Sequence, residues 1–200
     1  INPTTGVLSF NSVPNFEAPA DAGANNVYDV TVQVSDGAGG TDTQAIAVTV
    51  TNVNEAPLIT SNGGGATAAV SAAENQTVVT TVASSDVDGG AAVYSIAGGA
   101  DAALFTINAS TGALTFVAAP NFEAPTDSGS NNVYDVTVQA ADGNGGTDTQ
   151  AIAVTVTNVN EAPVITSDGA GAAATRNAAE NGAAVTTVTA TDVDAATTLT

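Results

Sequence analysis

The chain has 200 residues, rich in Ala, Val, Thr, Gly, Asn and Asp, with aromatic residues at only 4%. Its 20 Asp plus Glu face a single basic residue, Arg176, for a net charge of −19. That balance excludes nucleic acid and anionic membrane surfaces as partners, because phosphate groups are held by Lys and Arg. The chain has no His or Cys, so it can form neither an imidazole-based triad nor a disulfide or thiolate site.

In chain order, PNFEAPADAGANNVYDVTVQVSDGAGGTDTQAIAVTVTNVNEAP starts at Pro14 and returns, with few changes, at Pro120. The same spacing links Glu74 to Glu180 and Asp86 to Asp192. Self-similarity at this period marks a tandem array. It divides the chain into residues 1–54, the C-terminal half of one repeat, residues 55–160, a whole repeat, and residues 161–200, the N-terminal part of a third. Pro57 and Pro163 mark the boundaries, since proline breaks strand pairing. The start at Ile1 in mid-pattern is expected of an internal piece, with targeting information lying elsewhere.

The whole repeat reads as about seven short strands. VSAAEN, TVVTTVAS and AVYSIA come first, and LFTINASTGALTF follows as a hairpin turning at STG. VYDVTVQAAD alternates, placing Tyr134, Val136 and Val138 inward and Asp135, Thr137 and Gln139 outward. DGNGGTDT is a hairpin loop with glycines for positive φ, and QAIAVTVTN aligns Ile152, Val154 and Val156 on one face. No stretch holds a helical period or an apolar run of about 20 residues. The expected fold is all-β: tandem seven-stranded Greek-key β-sandwiches in single file. Alanine inflates the 44% hydrophobic fraction, so each core is thin.

The acids fall at fixed repeat positions. Glu74 and Glu180 stand in AAEN, just after the first strand begins, and Asp86-Val87-Asp88 and Asp192-Val193-Asp194 close the second strand. Glu17 and Glu123 lie in the PNFE loop, and Asp36 and Asp142 follow the long strand. The linker carries Asn52, Asn54 and Glu55, repeated as Asn158, Asn160 and Glu161. Carboxylates with amide oxygens select hard cations such as calcium. The plainer readings are a soluble acidic surface and, for Asp21, Asp42, Asp127 and Asp148, ordinary turn formation. Asp29 and Asp135 read as solvated strand residues. DVDGG has the look of an EF-hand start, but the glutamate that closes such a loop is absent.

Together these motifs resemble tandem cadherin repeats of the bacterial kind. TVASSDVDGG and TVTATDVDAA resemble the family's A-x-D-x-D segment, and FTINASTGALTF its F-x-I-x-x-x-T-G-x-L hairpin. YDVTVQAADGNGG resembles its Y-x-L-x-V-x-A-x-D-x-G strand, and TVTNVNEAP its D-x-N-D-N-x-P linker. The resemblance implies a calcium-binding structural and adhesion module of a secreted or cell-surface bacterial protein, stiffened by calcium between neighbouring repeats. Carried over motif by motif, the first junction would use Glu17, Asn54, Glu55, Asp86, Asp88 and Asp142. The second would use Glu74, Glu123, Asn158, Asn160, Glu161, Asp192 and Asp194. Asn52 and Asn158 replace the aspartate usual in animal cadherins, and Asn15 and Asn121 replace another acid, which implies fewer ions per junction.

The partners implied are calcium, neighbouring repeats, and cell-surface proteins or glycans. Two other readings stay open: a carbohydrate- or self-binding module, and a passive spacer needing no metal. An enzyme is not expected, because identical acids in tandem suit structural sites better than active sites.

Overall fold

A computed structural model of the chain describes residues 1–194. Residues 195–200, with the end of the unit expected over 161–200, lie outside the described residues. The first unit contributes an antiparallel hairpin, β1 (Val27–Ser35) with β2 (Thr41–Thr49), in register from Val27 opposite Thr49 to Ser35 opposite Thr41.

The central unit holds nine strand segments: β3 (Leu58–Ile59), β4 (Thr67–Ala73), β5 (Val78–Thr81), β6 (Ser84–Ser85), β7 (Val93–Gly98), β8 (Phe105–Ile107), β9 (Ala113–Phe116), β10 (Val133–Ala141) and β11 (Thr147–Thr157). One 3-10 turn, Ala102–Leu104, precedes β8. Third comes a short pair, β12 (Val164–Ile165) and β13 (Ala190–Thr191). The expected seven strands become nine segments because the first and second strands are each interrupted. β3 pairs antiparallel with β6, whereas β4 crosses over to run parallel to β11. The break falls at Asn62-Gly63-Gly64, where all three residues take positive φ. Such a run lets the chain leave one sheet and join the other.

The result is a two-sheet sandwich. One sheet has the order β4-β11-β10-β7 and the other β5-β9-β8. Alternation along β10 and β11 aims Tyr134, Val136, Val138, Ile152, Val154 and Val156 inward, each at most 1% exposed. Phe105, Leu114 and Phe116 from the facing sheet meet them. The Phe105 and Phe116 rings stack at 4.7 Å, and Tyr134 stands edge-on to Phe116 at 5.2 Å. Each fully buried side chain of this size contributes about 1.5–3 kcal/mol, so a thin core suffices.

Buried polar groups close the irregular segments. Asp101, 5% exposed, accepts from Ser128 N at 2.7 Å and Asp135 N at 2.8 Å, tying the 3-10 turn to the start of β10. Gln150 donates to Ser61 O and Gly65 O, holding the interruption between β3 and β4 onto β11. Asp21 and Asp127 are the turn residues expected. Asp127 accepts from Asn131 N and Asn132 N, and Asp21 accepts from Gly23 N, Asn25 N and Asn26 N.

For Asp42 and Asp148 the turn reading is corrected, since both lie within strands, β2 and β11. Asp148 Oδ2 accepts the amide of Ile59 at 2.8 Å, fastening β3. Its place after a Gly-Gly pair mimics a turn, but the strand has already begun.

Candidate metal centres

The NVNEAP linker makes no strand pairing and runs between β2 and β3, and again between β11 and β12. Acids from both flanking units converge on it. In the PNFE loop, Asn15 Oδ1 accepts from Glu17 N at 2.8 Å and Ala18 N at 3.0 Å, while Asn26 Nδ2 donates to Phe16 O at 2.8 Å. These bonds turn Glu17 toward the linker. Downstream, Asp86 Oδ1 accepts from Asp88 N at 3.0 Å, a local turn that sets the DVD segment. Asp88 then reaches back, accepting from Asn52 Nδ2 and from Glu55 N, both at 2.7 Å.

The outcome at the first junction is a three-carboxylate cluster. Oxygens of Glu17, Glu55 and Asp88 lie within 4.8 Å of one another. Asp142 joins through Asn54, whose Nδ2 donates to Asp142 Oδ2 at 2.7 Å. Asp86 stays outside the cluster but adds its charge to the field on Glu55.

The second junction repeats the arrangement. Glu161 N donates to Asp194 Oδ2 at 2.6 Å, and Asn158 Nδ2 bridges Asp194 Oδ1 at 2.8 Å and Glu123 Oε1 at 2.9 Å. Asp192 Oδ1 accepts from Asp194 N, as Asp86 does from Asp88. Here Glu74, Glu123 and Glu161 form the cluster within 4.8 Å. Glu74 is 2% exposed and stands just past the end of β4, not near the start of the first strand as expected, because that strand already begins at Thr67. Its carboxylate accepts from Val159 N and Phe122 N, both at 2.8 Å, clamping the linker to the PNFE loop. Asn160 turns to its own linker backbone, donating to Glu161 O.

Asn52 and Asn75 were absent from the expected ligand sets, yet both touch the clusters. Asn52 donates to Asp88, and Asn75 Nδ2 to Glu161 Oε1. Asn75 recurs as Asn181 in the next repeat, the one signal that could have marked it. Glu180 lies in the third unit beyond either cluster.

Electrostatics separate the roles of these acids. The Glu55 carboxyl is held above its ordinary value, first by desolvation and then by the charges of Glu17 and Asp88. Glu161 is raised by desolvation and by Glu74, Asp194 and Glu123, against the opposing amide of Asn75. Asp88 and Asp194 are lowered, chiefly by the Glu55 and Glu161 backbone amides, and Asp142 chiefly by the Asn54 amide. Each junction therefore pairs an anchored aspartate with a glutamate that carries unrelieved repulsion. Glu17 Oε1 and Glu161 Oε2 are buried and have no hydrogen-bond partner among the described residues.

These features fit a hard cation. The donors are all oxygen, which excludes the softer preferences of zinc or copper. Three carboxylates gathered within 4.8 Å of one another offer a hard divalent cation several oxygens at once.

A pH dependence follows for the metal-free protein. Raised glutamate values mean the folded state binds more protons than the unfolded one. Their stabilising contribution is present below the ordinary value of 4.5 and is lost as pH rises through the higher folded value. The lowered aspartates work oppositely, contributing above 3.8 and losing that contribution as pH falls through their lower folded values. Thermal melts in chelator should thus show stability declining as pH climbs above 4.5. With saturating calcium the decline should reverse, since cation binding requires the ionised form. The same downward slope in both series would count against a cation at these glutamates.

A family of bacterial Ig domains matches residues 54–155. No curated protein matches the chain. Among solved structures, the protocadherin gammaB7 EC3-6 cis-dimer is 24% identical with a TM-score of 0.52, covering 86% of this chain and 44% of that one. Human CDH23 EC21-23 is 20% identical with a TM-score of 0.54, covering 86% and 55%. Protocadherin gamma B7 extracellular cadherin domains 1-4 are 20% identical with a TM-score of 0.53, covering 88% and 43%. At these identities the likeness is one of fold, a cadherin-type β-sandwich. The chain spans about half the length of these neighbours.

Proposed function

Because the chain belongs to the bacterial Ig domain family, and its sandwich repeats succeed one another through acidic linkers, we propose that it is a structural and adhesion module whose junctions are rigidified by calcium. The observation that carries this reading is the convergence, twice over, of three carboxylates within 4.8 Å. In both cases a linker glutamate meets acids from a flanking unit. Bound calcium supplies the positive charge that the clusters lack.

The protein's own groups do the rest. Glu17 at the first junction, and Glu74 with Glu123 at the second, reach in from the upstream repeat, while Glu55 and Glu161 stand in the linker. Asp88 and Asp194 come from the downstream repeat, already anchored by linker amides. Asp86, Asp142 and Asp192, with Asn54, Asn158 and Asn160, complete or orient each set. Ligands drawn from two domains convert a flexible hinge into one preferred orientation, and a bead chain into a rod. Extracellular modules of this kind bind calcium at about 10⁻⁴–10⁻³ M. The place of action is the cell surface or its surroundings, and the array holds a distal binding region away from that surface.

Small-angle scattering tests the mechanical claim. With calcium the maximum dimension should lengthen and the profile should become that of a stiff rod, while magnesium leaves the chelated profile in place. Superimposable profiles in calcium and chelator would overturn it.

A further inference from the structure

The chain holds three Asn-Gly pairs, at Asn62, Asn144 and Asn181. We propose that Asn144 is a site of spontaneous deamidation, the one pair of the three whose side chain and following amide are both free to react. Glycine after asparagine removes the Cβ that would otherwise crowd the approach of its nitrogen to the side-chain carbonyl. The local structure then decides which pair can use that freedom.

Asn62 is held. Its Oδ1 accepts from Thr80 Oγ1 at 3.0 Å and its Nδ2 donates to Gln150 Oε1 at 3.3 Å, at a φ of 52°. At Asn181 the attacking group is engaged, since Gly182 N donates to Ala179 O. Asn144 sits exposed at the tip of the loop between β10 and β11. Its backbone amide is capped by Asp142 Oδ1 at 2.7 Å, but its side chain makes no hydrogen bond among the described residues. Gly145 has open space where a Cβ would stand, at a φ of 109°. Its amide falls outside the bonds that Asp142 accepts from Asn144 N and Gly146 N, yet still lies close enough to influence that carboxylate.

In the reaction, Gly145 N attacks Asn144 Cγ, the N–Cγ bond forms and the Cγ–Nδ2 bond breaks. Ammonia leaves, carrying the proton released from the amide by way of solvent. Water then opens the succinimide at either carbonyl, giving aspartate or isoaspartate. The first repeat carries Ala38 at this position and is exempt. If the junctions bind calcium as proposed, the consequence is local. A new carboxylate appears two residues from Asp142, and isoaspartate lengthens a loop that Asp142 closes with two bonds. The modification itself does not depend on that reading.

The test incubates the intact chain, metal-free, in warm, mildly alkaline buffer and maps it after glutamate-specific cleavage. Cuts after Glu123 and Glu161 isolate Asn144 from the other two pairs. The Asn144 peptide should gain the acid mass and isoaspartate reactivity several-fold faster than those of Asn62 and Asn181. Asn144→Ala, which copies the first repeat, should remove the signal and leave the melting temperature unchanged. Conversion at Asn62 or Asn181 as fast as at Asn144 would overturn the proposal. So would an intact Asn144 under conditions that convert a free peptide of the same loop.

Discussion

Calcium added to the metal-free protein at fixed ionic strength should raise the midpoint of thermal unfolding by several degrees, and magnesium should not. At about 10 mM calcium, a site of about 10⁻³ M affinity adds about 1.4 kcal/mol, and one of about 10⁻⁴ M about 2.7 kcal/mol. For a domain of about 100 residues each kcal/mol moves the midpoint by about 4–8 °C. Magnesium holds its waters and demands a near-ideal octahedron, so it is poorly served by a site made of protein oxygens alone. Glu161→Gln should remove only the second junction's share of the shift, because the first cluster is built from Glu17, Glu55 and Asp88. An unchanged midpoint with either ion would make these acids solvated surface and the array a passive spacer.

Much of this architecture is legible in the chain because its signals are local. Tyr134, Val136 and Val138 alternate with outward residues, and a period of two leaves little choice of face. The repeat made the acids visible as constellations, since Glu17 and Glu123, or Asp88 and Asp194, return at one spacing. Changes of partner leave no such mark. The crossing from β3, paired with β6, to β4, parallel to β11, has the same composition whichever sheet it joins. Only the run Asn62-Gly63-Gly64 hints at a break. Asp148 shows the opposite failure, a residue whose neighbours look like a turn but whose carboxylate serves Ile59, distant in sequence. Asn75 escaped for a related reason. An amide that satisfies a carboxylate across a junction is recognisable only once the two units are placed side by side.

Gly112→Ala should destabilise the central repeat far more than Gly6→Ala does the first, although both glycines close the same turn. In each, an asparagine caps the turn: Asn108 Oδ1 accepts from Ser110 N and Thr111 N, and Asn2 Oδ1 from Thr4 N and Thr5 N. Both glycines are left-handed, with φ of 69° and 73°. An alanine in that region costs about 1–2 kcal/mol at either site. The surroundings differ. A Cβ at Gly6 meets nothing within 4 Å, whereas one at Gly112 would press into the backbone carbonyl of Val82 and the ring of Tyr94. Val82 is 1% exposed, and its own amide donates to Gly112 O at 2.8 Å, so neither segment can yield without losing that bond. Overpacking of this kind adds about 1–3 kcal/mol, for a total of about 2–5 kcal/mol at Gly112. Denaturant melts of the two variants measure the gap directly. Equal losses would mean that the β5–β9 sheet edge relaxes around the turn, and that the turn's demand is on backbone conformation alone.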